Sequence, residues 1–541
     1  MADIFDYIIV GAGSSGCVIA ERLSQDADVK ILVIEAGGRD SSPLIHMPKG
    51  IGRIILDPKH AWYYPVQQPR EPGMPAGEAW VRGRGLGGSS AVNGMIYIRG
   101  HHDDYDDWER RGATGWNWAS MKTAFMAIED HELGAGDDRG TDGALNISPG
   151  KFRYPLADAC VEAGVEMGLP RKDDLNAMPQ EGVGYYLHNI KNGRRQSAAT
   201  AFLHPATRRG NVHIMTDAEV DGLIFDGQRV TGVRARRAGQ PVELHTRGEV
   251  ILSAGAMNSP KILQMAGIGN GAHLQSLGID VKVDNSHVGQ HLLEHLGFSM
   301  PHRLVKDRGI NHRFRGLGLA ASVAQYYLTH TGPMATGPFE IGAFARVHPA
   351  ATRPDCQLFL AGFTFARGGD ATFPIQLSHV EDEPGMTIYG QILNLTSEGA
   401  LSITSPDATQ PMDIAPNWLS TEHDQQTAIA MFRYMRRYMQ MPAIAPFVGE
   451  ELVPGPAVQS DEAILQAFRR LSMCGIHGVA TCRMGAPGDG VVDPRTRVYG
   501  VEGLRVVDCS IMPGLVSGNT NAPAMAAGWH AAQLIRADRR G

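Results

Sequence analysis

The chain has no apolar run of about 18 residues, the length a membrane-spanning helix needs. Its start, Met1-Ala2-Asp3-Ile4-Phe5-Asp6, is acidic and lacks the basic and apolar regions of a secretory signal. There is no C-x-x-C pair. The six cysteines at 17, 160, 356, 474, 482 and 509 are scattered, which fits reduced, buried thiols in a cytoplasmic setting. Positive charge is also short. With 50 Lys+Arg against 57 Asp+Glu the formal net charge is -7, so no nucleic-acid footprint is expected. The basic clusters Arg234–Arg237 and Arg539–Arg540 are too short to alter that and read as solvated surface. The sequence contains neither a G-x-S-x-G nucleophile elbow nor a P-loop lysine pattern.

What the chain has is length and glycine. Its 541 residues suffice for two or more domains with a substantial core. Its 65 glycines are about 12% of the chain against a usual figure near 7%. Such an excess suits tight turns and close backbone approaches. There is no internal repeat and no low-complexity tract.

Asp6-Tyr7-Ile8-Ile9-Val10 reads as a buried parallel strand, Ser14 to Ser24 as a helix, and Lys30 to Ile34 as a second buried strand. Together they form a βαβ unit. Gly11-Ala12-Gly13-Ser14-Ser15-Gly16 falls on its first turn and matches G-x-G-x-x-G. Alone the pattern is weak, since a second match occurs at Gly83–Gly88. The first match has the right context, with a strand before it, a helix after it, and Glu35 closing the next strand. Gly11 permits the tight turn, Gly13 admits a pyrophosphate, and Gly16 lets helix and strand pack closely. Free N–H groups at the helix start would hold the phosphates, and Glu35 would accept bonds from ribose hydroxyls. This predicts a dinucleotide without choosing FAD over NAD.

Further along, Gln357, Phe359, Ala361, Phe363 and Phe365 alternate with Leu358, Leu360, Gly362 and Thr364 between Asp355 and Phe365. This predicts a strand with aromatics on one face, followed by another at Thr387–Leu395. Asp424–Met441 reads as an amphipathic helix with Phe432, Met435 and Met439 on its core side. A buried strand at Leu504–Val507 and a terminal helix return to the style of the first domain. The fold class is α/β, with two domains of which the first is discontinuous.

The stretch from Gly83 through Ser89, Ser90, Val92, Asn93, Gly94, Met95 and Ile96 to Gly100 closely resembles the first signature of the glucose–methanol–choline oxidoreductases, which are FAD enzymes. Gly255–Leu263 running to Gly269, Val288–His295, His477–Gly485 and Gly518–Pro523 resemble the family's later blocks, in family order. The resemblance spans residue 6 to about 535. It implies an FAD-binding domain (1–155, 196–300 and 468–541) and a substrate domain (156–195 and 301–467) whose antiparallel sheet roofs the flavin.

It also implies flavin contacts from Ser89, Asn93, Gly94, Met95 and Ile96, an adenine contact from the Val220 backbone, and Asp508 near the ribityl and pyrophosphate. Thr520 falls in the last cofactor block. Some members attach FAD through a histidine in the first block. Val92 holds that position here, which implies noncovalent FAD. Departures are small: Asn270 stands where proline is common, and Ala480 where glycine is usual.

The implied reaction is oxidation of a primary alcohol, with oxygen or an external molecule accepting the electrons. The hydroxyl loses a proton and the carbon a hydride. Histidine is the natural base. The resemblance points to His477 as that base and to Asn519 as the partner of the substrate oxygen. Asn521 competes with Asn519, but Asn521-Ala522-Pro523 also reads as an N-cap and early-turn proline. His530, on the last helix, is the next candidate base. His291 and His295 at i, i+4 could suggest zinc, yet no third ligand is evident and the family block reads them as structural. Cys474 and Cys482 flank His477 and read as small buried hydrophobes. The aromatics Phe359, Phe363, Phe365 and Tyr389 hint at an apolar or aromatic substrate. A hydroxynitrile lyase-like activity on the same fold is the alternative.

Overall fold

The computed structural model describes residues 4–66, 78–365 and 379–540. The acidic start Met1–Asp3 and the stretches 67–77 and 366–378 of the two expected domains lie outside the described residues.

Two sheets organise the chain. The first has five parallel strands in the order Val212–Met215, Ile31–Ile34, Phe5–Val10, Gln240–Leu252 and Leu504–Val506. The short apolar runs Tyr7–Val10 and Ile31–Ile34 are fully buried, as strands covered on both faces must be. The long strand Gln240–Leu252 also pairs antiparallel with Arg229–Arg237, which pairs with Ala218–Asp226. Helix Ser14–Leu23 packs against the terminal helix Asn521–Arg540, where Gly528 permits contact: a Cβ there would lie 2.8 Å from the Ser15 carbonyl. Val10, Ile34, Leu252 and Val506 are paired in register. Gly11, Glu35, Ser253 and Val507-Asp508 therefore leave the sheet side by side, at the carboxyl ends where open α/β sheets bind ligands.

The second sheet is antiparallel, in the order Val448–Glu451, Leu296–Leu304, Gly385–Ile392, Cys356–Ala361, Ile341–Ala345 and Gly182–Tyr185, with Met473–Cys474 pairing onto Leu296–Leu304. The alternation around Phe359 has the expected outcome. Leu358 and Leu360 enter a core with Phe432 and Met435 from helix Glu422–Tyr438, while Phe359, Ala361, Phe363 and Phe365 face a cavity on the other side.

Two expected domain boundaries fall inside elements. Strand Leu296–Leu304 crosses residue 300, and helix Asp461–Leu471 crosses residue 468. Both belong with the second sheet, because Phe468 packs on Phe298 with ring centroids 4.8 Å apart. The chain passes between the two bodies just before strand Leu296–Leu304 and just after Met473–Cys474, next to the two histidines described below. No described helix is long and apolar enough to cross a membrane.

Candidate active site

A single cavity of about 860 Å³ runs from the first glycine turn to the inner face of the second sheet. Gly11, Gly13, Ser14, Ser15 and Glu35 line one end, with Val220 beside them. Ser89, Asn93, Gly94, Met95, Ile96 and Asp508 line the middle. His477, Asn519 and Thr520 meet Phe339, Phe359, Phe363, Phe365 and Tyr389 toward the other end. Of the residues expected to hold cofactor, Gly16 alone does not line the cavity. A Cβ at Gly16 would lie 2.1 Å from the Gly11 carbonyl oxygen, so this glycine serves helix–strand packing.

The glycine end is open to an anion. Gly11 has φ +103°, and a Cβ there would strike the Ser253 carbonyl at 2.4 Å. A Cβ at Gly13 would have nothing nearer than 3.9 Å, so this backbone lies bare. Gly13 caps helix Ser14–Leu23 without a side-chain bond, and Ala254 likewise caps helix Gly255–Met265. The terminal helix starts at the same cavity. Three helix N-termini thus turn their positive dipole ends to the cavity, and at the bare Gly13 turn the first N–H groups of helix Ser14–Leu23 have no side-chain cap. This set suits a pyrophosphate.

Glu35 differs from the sequence expectation. Its carboxylate is buried and accepts backbone N–H bonds from Ala12 (2.9 Å), Gly37 (2.9 Å) and Gly85 (2.9 Å). Burial raises its pKa, opposed by those three bonds. It ties the first glycine turn to the second glycine run, so a ribose contact cannot be its only task. Asp508 is similarly engaged, accepting from Gly255 N at 2.9 Å and Ser510 N at 2.8 Å, with Ser259 Oγ at 2.5 Å.

At the other end His477 is joined to two partners. Its Nδ1 lies 3.0 Å from Nδ1 of His295, and its Nε2 lies 3.1 Å from Nδ2 of Asn519. The network assigns the tautomer. Tyr186 Oη donates to the Leu358 carbonyl at 2.7 Å and so accepts from Gln357 Nε2 at 3.0 Å. The same Gln357 Nε2 donates to Asn519 Oδ1 at 3.1 Å. The Asn519 amide N–H therefore faces His477, whose Nε2 must carry the lone pair. The proton sits on Nδ1 and is donated to His295. Burial, then His295, then Arg82 push the His477 pKa well below its usual value. The imidazole is neutral at physiological pH, with a margin wider than a base poised near neutrality would have. Glu294 accepts from the His477 N–H at 2.6 Å and pairs with Arg82 at 3.1 Å, fixing the turn that carries the histidine.

His295 was missed as a site residue, because its sequence block reads as structural. It is fully buried and its own pKa is pulled down to about 4 by burial. Its i, i+4 neighbour His291 points elsewhere, to Glu398 at 2.7 Å and His287 at 3.0 Å. The segment is not helical, so the two never share a face. No group of three or more metal-ligating side chains occurs among the described residues. His530 lies outside the cavity, its ring edge-on to Trp116 at 4.7 Å, and it drops out as a base.

Asn521 is not the N-cap. Ala524 N bonds the Thr520 carbonyl, which makes Thr520 the cap, while Asn521 Oδ1 accepts from Ser14 Oγ at 2.8 Å. The two departures from the family pattern differ in their fit. Asn270 Oδ1 caps helix Gly271–Ser276 through His273 N, and Ala480 takes φ +71°, a region that favours glycine. None of the six cysteines forms a disulfide, and Cys474 and Cys482 are buried.

Family profiles described as GMC oxidoreductase match residues 5–297 and 396–528. The chain is 38% identical to human (Homo sapiens) choline dehydrogenase, mitochondrial, over 99% of this chain and 90% of that protein. It is 37% identical to the alcohol dehydrogenase [acceptor] of Pseudomonas putida over 98% of this chain and 96% of that one. Among solved structures, pyridoxine 4-oxidase from Mesorbium loti superposes with a TM-score of 0.87 at 29% identity, covering 98% and 99% of the two chains. Profile matches over both bodies, together with full-length likeness at this identity, establish that the chain belongs to the GMC oxidoreductase family.

Proposed function

We propose that this protein is an FAD-dependent enzyme that oxidises a neutral, apolar or aromatic primary alcohol to the aldehyde, with oxygen or an external molecule as electron acceptor. The observation that carries the reading is the single cavity joining the bare glycine turn to His477, Asn519 and the aromatic wall. When bound, FAD supplies a two-electron acceptor for the hydride of the carbinol carbon.

The chain's own residues do the rest. Gly13 and the N-terminus of helix Ser14–Leu23 hold the pyrophosphate. Ser89, Asn93, Gly94, Met95 and Ile96 line the flavin's position, with Asp508 and Thr520 beside it and the Val220 backbone at the adenine end. Val92 cannot form a histidyl link, so FAD is held noncovalently. His477 Nε2 takes the hydroxyl proton, and Asn519 holds the alcohol oxygen in reach.

The relatives named for choline suggest a cationic substrate, and an aromatic wall can hold a quaternary ammonium by cation–π attraction; what favours a neutral one is the shortage of carboxylates at this end. The described carboxylates that line the cavity are Glu35, Glu219, Asp221 and Asp508. Glu35 and Asp508 are spent on backbone bonds, and Glu219 and Asp221 flank Val220 at the adenine end. The aromatic wall is made of Phe339, Phe359, Phe363, Phe365 and Tyr389. Six reduced, largely buried thiols suit a cytoplasmic enzyme.

The test is an anaerobic panel of alcohols, including choline, read at the flavin absorbance band. Benzylic and medium-chain primary alcohols should bleach it faster than choline. Bleaching by choline alone would refute the substrate class. No bleaching at all, with cyanide released from a cyanohydrin, would replace oxidation by lyase chemistry.

A further inference from the structure

Among the described residues three arginines are almost wholly buried, and one is unlike the others. Arg99 is paired with Glu129 at 2.8 Å, and Arg505 with Glu249 and Asp538, each at 2.8 Å. Arg195, only 3% exposed, has no carboxylate partner among the described residues. Its Nε donates to the Ile45 carbonyl at 2.9 Å. Its Nη1 donates to the Ser90 carbonyl at 3.2 Å and to Asn93 Oδ1 at 2.8 Å. Its Nη2 is buried with no acceptor. Burial alone pulls this guanidinium down to about 9. An uncompensated buried charge is costly, and a fold retains one where an anion repays it.

The geometry indicates where that anion belongs. Asn93 Oδ1 accepts from both Arg195 Nη1 and Met95 N (3.0 Å), so the oxygen end of the amide is saturated. Asn93 lines the cavity, and no protein acceptor for its Nδ2 occurs among the described residues. The amide is locked donor-outward. A hydride carries two electrons and one proton, so the group that accepts it gains one negative charge.

We propose that Arg195 is a positioning residue. It fixes the Asn93 amide with its Nδ2 donor toward the cofactor, and its positive charge stabilises the negative charge delivered there, so that it sets the flavin's reduction potential. The proposal rests on the FAD reading above. Arg195 touches neither substrate nor the cavity surface itself and acts through Asn93 and through its field.

The test compares FAD-loaded wild type with Arg195→Lys, Arg195→Met and Arg195→Gln. Each is equilibrated anaerobically against a reference redox dye at fixed pH, and its FAD dissociation is measured in parallel. In the Met and Gln variants the reduced-to-oxidised ratio at a given potential should fall at least tenfold, about 30 mV for a two-electron couple. The Lys variant, which keeps the charge, should stay within about threefold of wild type. Gln keeps a polar donor near the Ile45 carbonyl and guards against a Met variant that fails to fold.

Neutral variants within threefold of wild type would overturn the proposal. So would a Lys variant as shifted as Met, which would assign the effect to shape. Weakened FAD binding with an unchanged equilibrium in the loaded fraction would assign the charge to the pyrophosphate, which also overturns it. Wild type that holds no FAD would instead sink the functional reading itself.

Discussion

Replacing Glu35 with Ala should destabilise the nucleotide turn and not merely weaken cofactor binding. The carboxylate accepts three backbone N–H bonds, from Ala12, Gly37 and Gly85. Truncation leaves three donors without an acceptor in a buried place. Each unsatisfied donor costs about 1–3 kcal/mol, so the lower bound is about 3 kcal/mol. Water entering from the cavity that Glu35 lines holds the loss near that bound. Glu35→Gln should cost less. Its remaining oxygen can still serve Gly37 and Gly85, while its amide nitrogen would oppose only the Ala12 N–H. The assay is amide exchange on the cofactor-free protein. Local opening at Gly37 and Gly85 should speed by about a hundredfold in the Ala variant, since 1.4 kcal/mol is a factor of ten. In the Gln variant those two amides should stay near wild type. Unchanged exchange at all three amides in Glu35→Ala, with FAD affinity lost, would restore the ribose contact as the sole role and refute the argument.

His477→Ala should slow flavin reduction by about 10²–10⁴-fold or more, read by stopped flow, with FAD still bound. Asn519→Ala should cost less, and a larger loss there would move the base elsewhere. The pH dependence follows from the neutral imidazole. Its pKa is depressed, so the base-competent form persists as pH falls and is lost only on passing through that lowered value. Reduction should therefore be flat above the ordinary imidazole range and decline only on the acid side. A rate still climbing through an ionisation above about pH 7 would contradict this. Denaturation should release FAD into the supernatant, because Val92 offers no attachment. Flavin left on the precipitate would disprove noncovalent binding.

The local grammar of the chain was legible from its letters. The strand–turn–helix from Phe5 to Leu23 follows from an apolar run that ends in Gly11, where a positive φ is required. The two faces of the strand around Phe359 follow from alternation, because side-chain period in a strand is two. His477 and Asn519 were singled out through their blocks, and the fold brings them into one cavity.

Other features have no local signal. His295 and His477 are 182 residues apart, Gln357 and Asn519 162, and Arg195 and Asn93 102. Each pair joins segments that only the packing of the two sheets brings together. No periodicity or turn residue marks a histidine as the partner of another so far along the chain. The same holds for residues that were read only in part. Glu35 closes a strand as a ribose acid does, and folding also presents three N–H groups to it. Asn521 precedes a proline as a cap does, but Ser14 of a distant turn claims its oxygen. Sequence determined which residues could make bonds. Tertiary structure decided which bonds they made, because a buried polar group must satisfy the nearest partner that packing supplies.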